Sequence, residues 1–539
     1  MSPPGSLSGQ RVLDTYDVLL KILEDGHRSS HQSHGRRIDH GLAQRDLAAC
    51  ARACRAFREP ALRILWSQID SLLPLWHLLS PAALPPPKVC TEEYINLVAE
   101  AKLYEDRDHW GRFLGYAKLV RRLSYDSYEC ADAQAYLFKV LLEHNGGESF
   151  MPSLRAIEWK RGSSQDYSFA VAFCPGIVEV TLSFARHGSS AQLWRDVDLK
   201  PILQRLREAS PALEALHLRI PTQVESWIVD VLVQFPRLRK LYGPFTLDAP
   251  SFVTLVSKLD FVSLHGSLSS DSTTSTATSI PLIRMKNLRE LRIQSCCQSV
   301  TQLFNALDAP DLRSLTVCII DNPTSTVDYP AFVEAIATAV SADVMRSLIL
   351  EIRLQHYTPH ASRPAPIPLA TLLHPILPMQ NLETFELKFG GRLQLSATNE
   401  TFADITQRWC ALRSFSLSIR DWHPDGPPPT PAILMSFARA CPDLRELVLP
   451  YLDHRALDLP FGGMPDPHPL LHLDILDRLT ERESTNEESA RMTTYIHRLF
   501  PSIDPGFRHY GRNYELAWTK VFHRIKMLRE AMSSAPDLA

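Results

Sequence analysis

Cys50 and Cys54 stand one helical turn apart, and the run just upstream carries His27, His31, His34 and His40. Thiolates and imidazoles are the raw material of a zinc site, which needs four of them converging from tight knuckles. No knuckle spacing is present here, so the two thiols are expected to be core side chains and the histidine run a solvated loop. Cys296 and Cys297 are adjacent, without the C-x-x-C spacing or neighbouring base that redox work requires. No G-x-x-x-x-G-K-[ST], H-E-x-x-H or G-x-S-x-G occurs, and the GSLSG near the start puts Leu7 in the nucleophile position. No carboxylate pair stands out. The residues give an enzyme nothing to work with, and neither a catalytic residue nor a metal or cofactor is expected.

Bulk properties narrow the class further. The 539 residues carry 57 Lys and Arg against 60 Asp and Glu, a formal charge of −3. That balance lacks the basic excess of a nucleic-acid-binding domain. No apolar run approaches the roughly 18 residues of a membrane span, so neither nucleic acid nor membrane is an expected partner. The opening MSPPGSLSGQ has neither the basic nor the apolar region of a secretory signal. The 10 cysteines show no disulfide-framework spacing, which fits a reducing compartment; cytosol or nucleus is the expectation. Pro clusters at Leu84 to Pro87, Arg363 to Pro368 and Gly426 to Pro431 read as stiff loops. Ser267 to Ser279 is low-complexity and expected to be a disordered excursion.

Two kinds of element must position whatever works in this chain. Asp14 to Asp25 has an Asp/Thr cap and an apolar stripe of Val18, Leu19, Ile22 and Leu23, the pattern of an amphipathic helix. After the polar stretch from Gly26 to Gly41, Leu47, Cys50, Ala51 and Cys54 are expected on one helix face. Phe57, Ala61, Leu65 and Ile69 are expected on another. Short helices so rich in Ala and Cys are marginal alone, which suits a small module that completes its core against a partner.

From Val120 onward the pattern becomes L-x-x-L-x-L, whose last three positions alternate like a strand. Clear copies are Val120-Leu123-Tyr125, Leu154-Ile157-Trp159, Ile177-Val180-Leu182, Leu213-Leu216-Leu218, Leu288-Leu291-Ile293, Leu312-Leu315-Val317, Leu382-Phe385-Leu387, Leu412-Phe415-Leu417 and Leu444-Leu447-Leu449. Weaker ones are Leu238-Leu241, Phe261-Leu264, Met345-Leu348-Leu350 and Leu470-Leu473-Ile475. They recur every 23 to 37 residues, many after the phrase x-Pro-x-Leu-Arg-x-Leu, with helical segments such as Tyr329 to Val340 and Ile433 to Ala440 between them. One strand and one helix per unit, none able to bury its apolar face alone, is the arrangement of leucine-rich repeats. The Asn that usually follows the strand is missing, so an irregular curvature is expected. From Thr480 the pattern stops; Glu487 to Phe500 and Tyr514 to Met532 read as helices, the second with a stripe of Trp518, Val521, Phe522, Ile525 and Leu528.

The stretch Asp46-Leu47, five residues, Ala53-Cys54, two residues, Phe57 resembles the second half of an F-box. Asp17-Val18-Leu19-Leu20-Lys21-Ile22-Leu23 echoes the first half. Leu13-Asp14-Thr15 stands where the family has Leu-Pro, and Ala53 where it has Val. The continuation "REPALRILWSQIDSLLPLWHLL" and the join "WGRFLGYAKLVRRLSYD" resemble a group of fungal F-box proteins with C-terminal leucine-rich repeats. The resemblance implies an α/β chain: a disordered start over 1–11, a three-helix F-box-like module over 12–80 and a helical connector over 81–118. An irregular leucine-rich-repeat solenoid over 119–479 and a helical cap over 480–539 would complete it.

The function it implies is substrate recognition within a Skp–cullin–F-box ubiquitin ligase. Val18, Leu19, Ile22, Leu23, Leu47, Cys54 and Phe57 would touch or support the Skp adaptor of the cullin ligase core. A protein substrate of unknown identity would meet outward strand positions such as His217, Arg219, Glu290, Arg292, Gln294, Glu386, Lys388, Ser416 and Ser418. The same residues also allow a leucine-rich-repeat interaction scaffold whose F-box-like module is degenerate and not ligase-linked.

Overall fold

The structure is a computed structural model that describes residues 16–24, 40–80, 92–126, 131–160, 174–183, 199–219, 227–247, 249–268, 281–321, 328–354, 366–422, 429–453, 466–475, 485–504 and 517–534. The start over 1–11, His27, His31 and His34, the Pro cluster at 84–87 and most of the low-complexity run lie outside the described residues. The chain divides into two compact units, 1–244 and 245–539.

The first unit opens with helices α1 (16–24), α2 (His40–Ala53) and α3 (Arg55–Ser67). Between α2 and α3, Cys54 is fully extended (φ −157°, ψ 166°), so the two helices are separate rods with separate faces. Leu47 of α2 and Pro60, Ala61 and Ile64 of α3 are buried. Two expectations are corrected here. Cys54 is exposed and Cys50 only half-buried, because the break at Cys54 takes its side chain out of the helical register shared by Leu47 and Ala51. Ile69 is not helical: Gln68–Ile69 is strand β1, paired in parallel with Arg122 and Leu123.

Helices α4 (Leu73–Leu78), α5 (Glu92–Glu100) and α6 (Arg107–Ala117) follow. Trp76 of α4 packs on Phe113 at 6.3 Å and edge-on to Phe138 at 5.5 Å, and both phenylalanines reach Phe150. Strands β2 (Arg122–Asp126), β3 (Ala156–Lys160), β4 (Glu179–Ser183), β5 (Ala215–Arg219) and β6 (Lys240–Leu247) then add in sequence order, all parallel. Helices α7 (Ala131–His144), α8 (Leu199–Ala209) and α9 (Trp227–Leu232) lie between them along the chain. The register lines Leu123, Ile157, Val180, Leu216 and Leu241 into one buried row.

The second unit repeats this plan. After α10 (Ala249–Lys258) come β7 (Ser263–Leu268), the short β8 (Ile283–Arg284), β9 (Glu290–Ser295), α11 (Cys297–Ala306), β10 (Leu307–Asp308) and β11 (Ser314–Asp321). Then follow α12 (Tyr329–Ala339), β12 (Ser347–Leu354), β13 (Ile367–Pro368), α13 (Leu369–Leu373), β14 (Thr384–Ser396), α14 (Asn399–Arg408), β15 (Ser414–Trp422), α15 (Ala432–Ala440), β16 (Glu446–Leu449) and β17 (His472–Ile475). The parallel order is β7, β9, β11, β12, β14, β15, β16, β17, while β8 pairs with β10 apart from it and β13 with β14. Its apolar row is Leu264, Leu291, Leu315, Leu348, Phe385, Phe415, Leu447 and Leu473, every member buried. Each such side chain contributes about 1.5–3 kcal/mol by leaving water.

The recurrent x-Pro-x-Leu-Arg phrase has a local cause. The leucine amide closes a turn on the carbonyl three residues back, as Leu154 to Met151 (3.1 Å), Leu213 to Ser210 (3.2 Å) and Leu444 to Cys441 (3.1 Å). The next two amides both donate to a carbonyl of the preceding repeat: Arg155 and Ala156 to Arg121, Arg445 and Glu446 to Arg413. The arginine side chain then donates forward to the turn of the next repeat, Arg155 to the Gly176 carbonyl (2.9 Å) and Arg445 to that of Pro469 (3.2 Å). The residue before the proline reaches backward: Ser210 donates to the Cys174 carbonyl (3.0 Å), Cys441 to that of Trp409 (3.5 Å) and His468 to that of Cys441 (2.8 Å). These turns are thereby stitched to neighbouring repeats.

At the C-terminus α16 (Asn486–Leu499) starts on a Thr485–Glu488 capping box and α17 (Ala517–Ser534) packs beside it. The end of α16 joins the last repeat through the His468 amide on the Leu499 carbonyl (3.0 Å) and the Asp504 amide on that of Leu471 (2.7 Å). Trp518, Val521, Phe522 and Ile525 are buried as the stripe predicts, while Leu528 stays exposed. The architecture is an α/β leucine-rich-repeat solenoid with a helical cap.

Candidate protein-interaction surfaces

Four of the residues singled out in the helical module share α1. Val18 and Ile22, one turn apart, are 57% and 60% exposed, and Leu19 and Leu23 on the adjoining stripe are half-buried. A short helix with apolar side chains on both stripes has more apolar surface than its own packing uses. Cys54 and Phe57 form a second group at the corner between α2 and α3, the first exposed and the second half-buried. Leu47 stands apart from both: it is buried, on a helix that packs against α3.

The strand positions fall on the face opposite the apolar rows, as alternation requires. In the first unit His217 follows Ser124, Glu158 and Thr181 across the strands and stacks flat on Tyr242, rings 4.1 Å apart at 9°. Arg219 reaches Glu158 at 3.6 Å, and Lys160 holds the same carboxylate at 3.3 Å. In the second unit Arg292, Glu386 and Ser416 share one cross-strand row, and Gln294, Lys388 and Ser418 the next.

The chemistry of this face is largely self-satisfied. Glu386 and Lys388 pair at 2.7 Å, and Glu290 accepts from the Ser263 hydroxyl (2.8 Å) and from the His265 ring (3.0 Å). Burial, helped by the nearby Arg292 charge, lowers the His265 pKa despite Glu290, which favours the neutral imidazole in this hydrogen bond. Arg292 and Gln294 are exposed, Ser418 is half-buried and Ser416 is buried among its neighbours. The face therefore offers mixed polar groups, suited to recognising a protein surface by shape and hydrogen bonding.

Sequence reasoning passed over several members of the same rows. Glu351 and Arg353 pair at 2.7 Å beside Lys388 and Gly390, and Tyr242 completes the histidine stack. The alternation S-L-I-L-E-I-R-L in β12 carried the signal for Glu351 and Arg353; its outward positions follow the same rule as those of β14. Among the described residues no group of three or more His, Cys, Asp or Glu side chains is placed to hold a metal ion. Among the same residues no helix is long and apolar enough to cross a membrane.

No family model matches the chain, and no curated protein matches it. Several solved structures resemble it. A leucine-rich-repeat protein of Leptospira interrogans is 15% identical over 66% of this chain and 91% of its own, with a TM-score of 0.28. A chain of the yeast Rad7–Elc1 complex is 14% identical over 84% of this chain and 97% of its own, TM-score 0.34. A chain of the LRIM1/APL1C complex is 11% identical over 78% of this chain and 60% of its own, TM-score 0.27. The fold itself rests on the register of the strands: one parallel strand per leucine phrase, in chain order, within each unit.

Proposed function

We propose that this chain is the substrate-recognition subunit of a Skp–cullin–F-box ubiquitin ligase, working in the cytosol or nucleus. The observation that carries the reading is the pair Val18 and Ile22, exposed side by side on α1 at positions the F-box resemblance assigns to the adaptor. Leu19, Leu23 and Phe57 would complete that surface from their half-buried positions, Cys54 would lie at its rim, and Leu47 would brace it from within. The outward strand rows would hold a protein substrate.

No bond is made or broken by this chain in such an assembly. It raises the effective concentration of the substrate at the ubiquitin-loaded carrier, converting a bimolecular encounter into an intramolecular one. Co-expression with the Skp adaptor tests the reading: the full chain is expected to co-purify with adaptor and cullin. A folded chain that never captures the adaptor leaves the interaction-scaffold reading in its place.

A further inference from the structure

One feature of the first unit lies outside both surfaces: an open groove of about 790 Å³ lined by Arg55, Arg58, Arg63, Lys118 and Arg121, with Glu59 as its sole acidic group. Arg55, Arg58, Glu59, Leu62 and Arg63 follow the i, i+3, i+4, i+7, i+8 pattern, so α3 turns one continuous face into the groove. Lys118 caps the C-terminus of α6, and Arg121 lies in the turn before β2. None of the five cations has an ion-pair partner among the described residues, although the whole chain carries a net charge of −3. Elsewhere on the strands arginines and lysines sit against carboxylates, as Lys388 does on Glu386 and Arg353 on Glu351. Here five cations converge on one carboxylate, at a cost in self-repulsion that a bound anion would relieve.

The groove is also rigid and shaped. The Arg121 amide is held by the Ser67 carbonyl at 2.9 Å, and its own carbonyl accepts from Arg155 and Ala156. Leu62, Leu119 and Pro152 line it with apolar surface, and Gly115 leaves open space where a side chain would stand. Arg55 and Arg63 are separated by about 12 Å along the α3 axis, from the 1.5 Å rise per residue. That span fits about four residues of extended peptide at roughly 3.3 Å each, with acidic groups spread along it, better than one compact phosphate.

We infer that this groove docks an extended, Asp/Glu-rich segment of a protein partner. Arginine forks would take its carboxylates, two at a time where geometry allows, while the apolar walls hold the intervening chain. The inference does not rest on adaptor binding; either can fail while the other stands.

The test is fluorescence anisotropy of a labelled ten-residue peptide of alternating Asp and Glu with the full chain at low and physiological salt. Binding is expected to weaken as salt rises and to fall about tenfold or more in Arg58→Glu/Arg63→Glu. Gly115→Trp, which fills the groove without altering charge and meets no neighbour at its Cβ, is expected to reduce binding comparably while leaving the thermal midpoint in place. Lys258→Glu/Arg408→Glu, an equal charge change at exposed positions of the other unit, is expected to leave binding within about twofold. Absence of binding at low salt overturns the inference. So does an equal loss in the Lys258/Arg408 control, or tighter, equally groove-dependent binding of single-stranded DNA of the same charge.

Discussion

His77, His265 and His468 share one circumstance: burial is the largest influence on each imidazole, and it lowers the pKa from its ordinary value. The Nε2–H of His468 donates to the Cys441 carbonyl, and its Nδ1 has no partner among the described residues, so a second proton would be buried without an acceptor among them. The folded state thus binds fewer protons than the unfolded chain below the ordinary value of about 6.5. Stability from these groups is fully present above that pH and is lost as pH falls below it. Amide protection over 441–453 and 466–475, with the intrinsic pH dependence of exchange divided out, is therefore expected to fall between pH 7.5 and 5.5, and His468→Gln, which keeps a donor without the titration, is expected to flatten that change. An unchanged slope in the variant would locate the acid sensitivity elsewhere. The thiols of Cys174 and Cys441 are raised by burial, Cys441 to about 12, which suits inert packing groups that donate to repeat carbonyls. At the same scale Leu387, fully buried, is expected to cost about 2–5 kcal/mol when truncated to Ala, measured by chemical denaturation. A cost under about 1 kcal/mol would contradict a closely packed core around Leu387.

Elements explain what a reader of the sequence could and could not see. The leucine phrases became strands because their alternation matches a sheet with one covered face, and the long connection within each 23- to 37-residue unit carries the chain back to the same end of the sheet, which makes neighbouring strands parallel. The proline phrase was visible as a repeat, but its meaning lay in bonds to residues about 20 to 35 positions away, such as Arg155 to Gly176 and His468 to Cys441. Arg155→Ala and Arg445→Ala are each expected to destabilise by about 1 kcal/mol, one neutral-acceptor hydrogen bond, with the loss read as faster exchange in the adjacent turn. No change in those turns would mean the arginines are ornaments of the surface. Periodicity misplaced Cys54 because it presumes an unbroken helix, and one extended residue resets the face. It likewise put Ile69 on a helix when that residue begins the sheet. The basic groove was half legible: Arg55, Arg58 and Arg63 are spaced for one face, whereas the arrival of Lys118 and Arg121 depends on how α6 and the first repeat turns meet α3.

At the scale of the whole molecule, the chain separates its tasks. A small helical module leaves apolar side chains exposed on α1, while the repeats of each unit bury theirs in a row of strands and turn mixed polar rows outward. Capping by α16 and α17 covers the last repeat, whose apolar edge would otherwise face water. Such a division suits a molecule that binds one partner by hydrophobic docking and another by a polar face. The affinity of the full chain for the purified Skp adaptor, measured by titration calorimetry against Val18→Asp/Ile22→Asp, tests this directly. The account predicts tight binding by the native chain and a loss of about a hundredfold or more in the variant, the scale of two buried apolar anchors, with its thermal midpoint unchanged. Equal affinity of the two chains, or no binding by the native one, would contradict it.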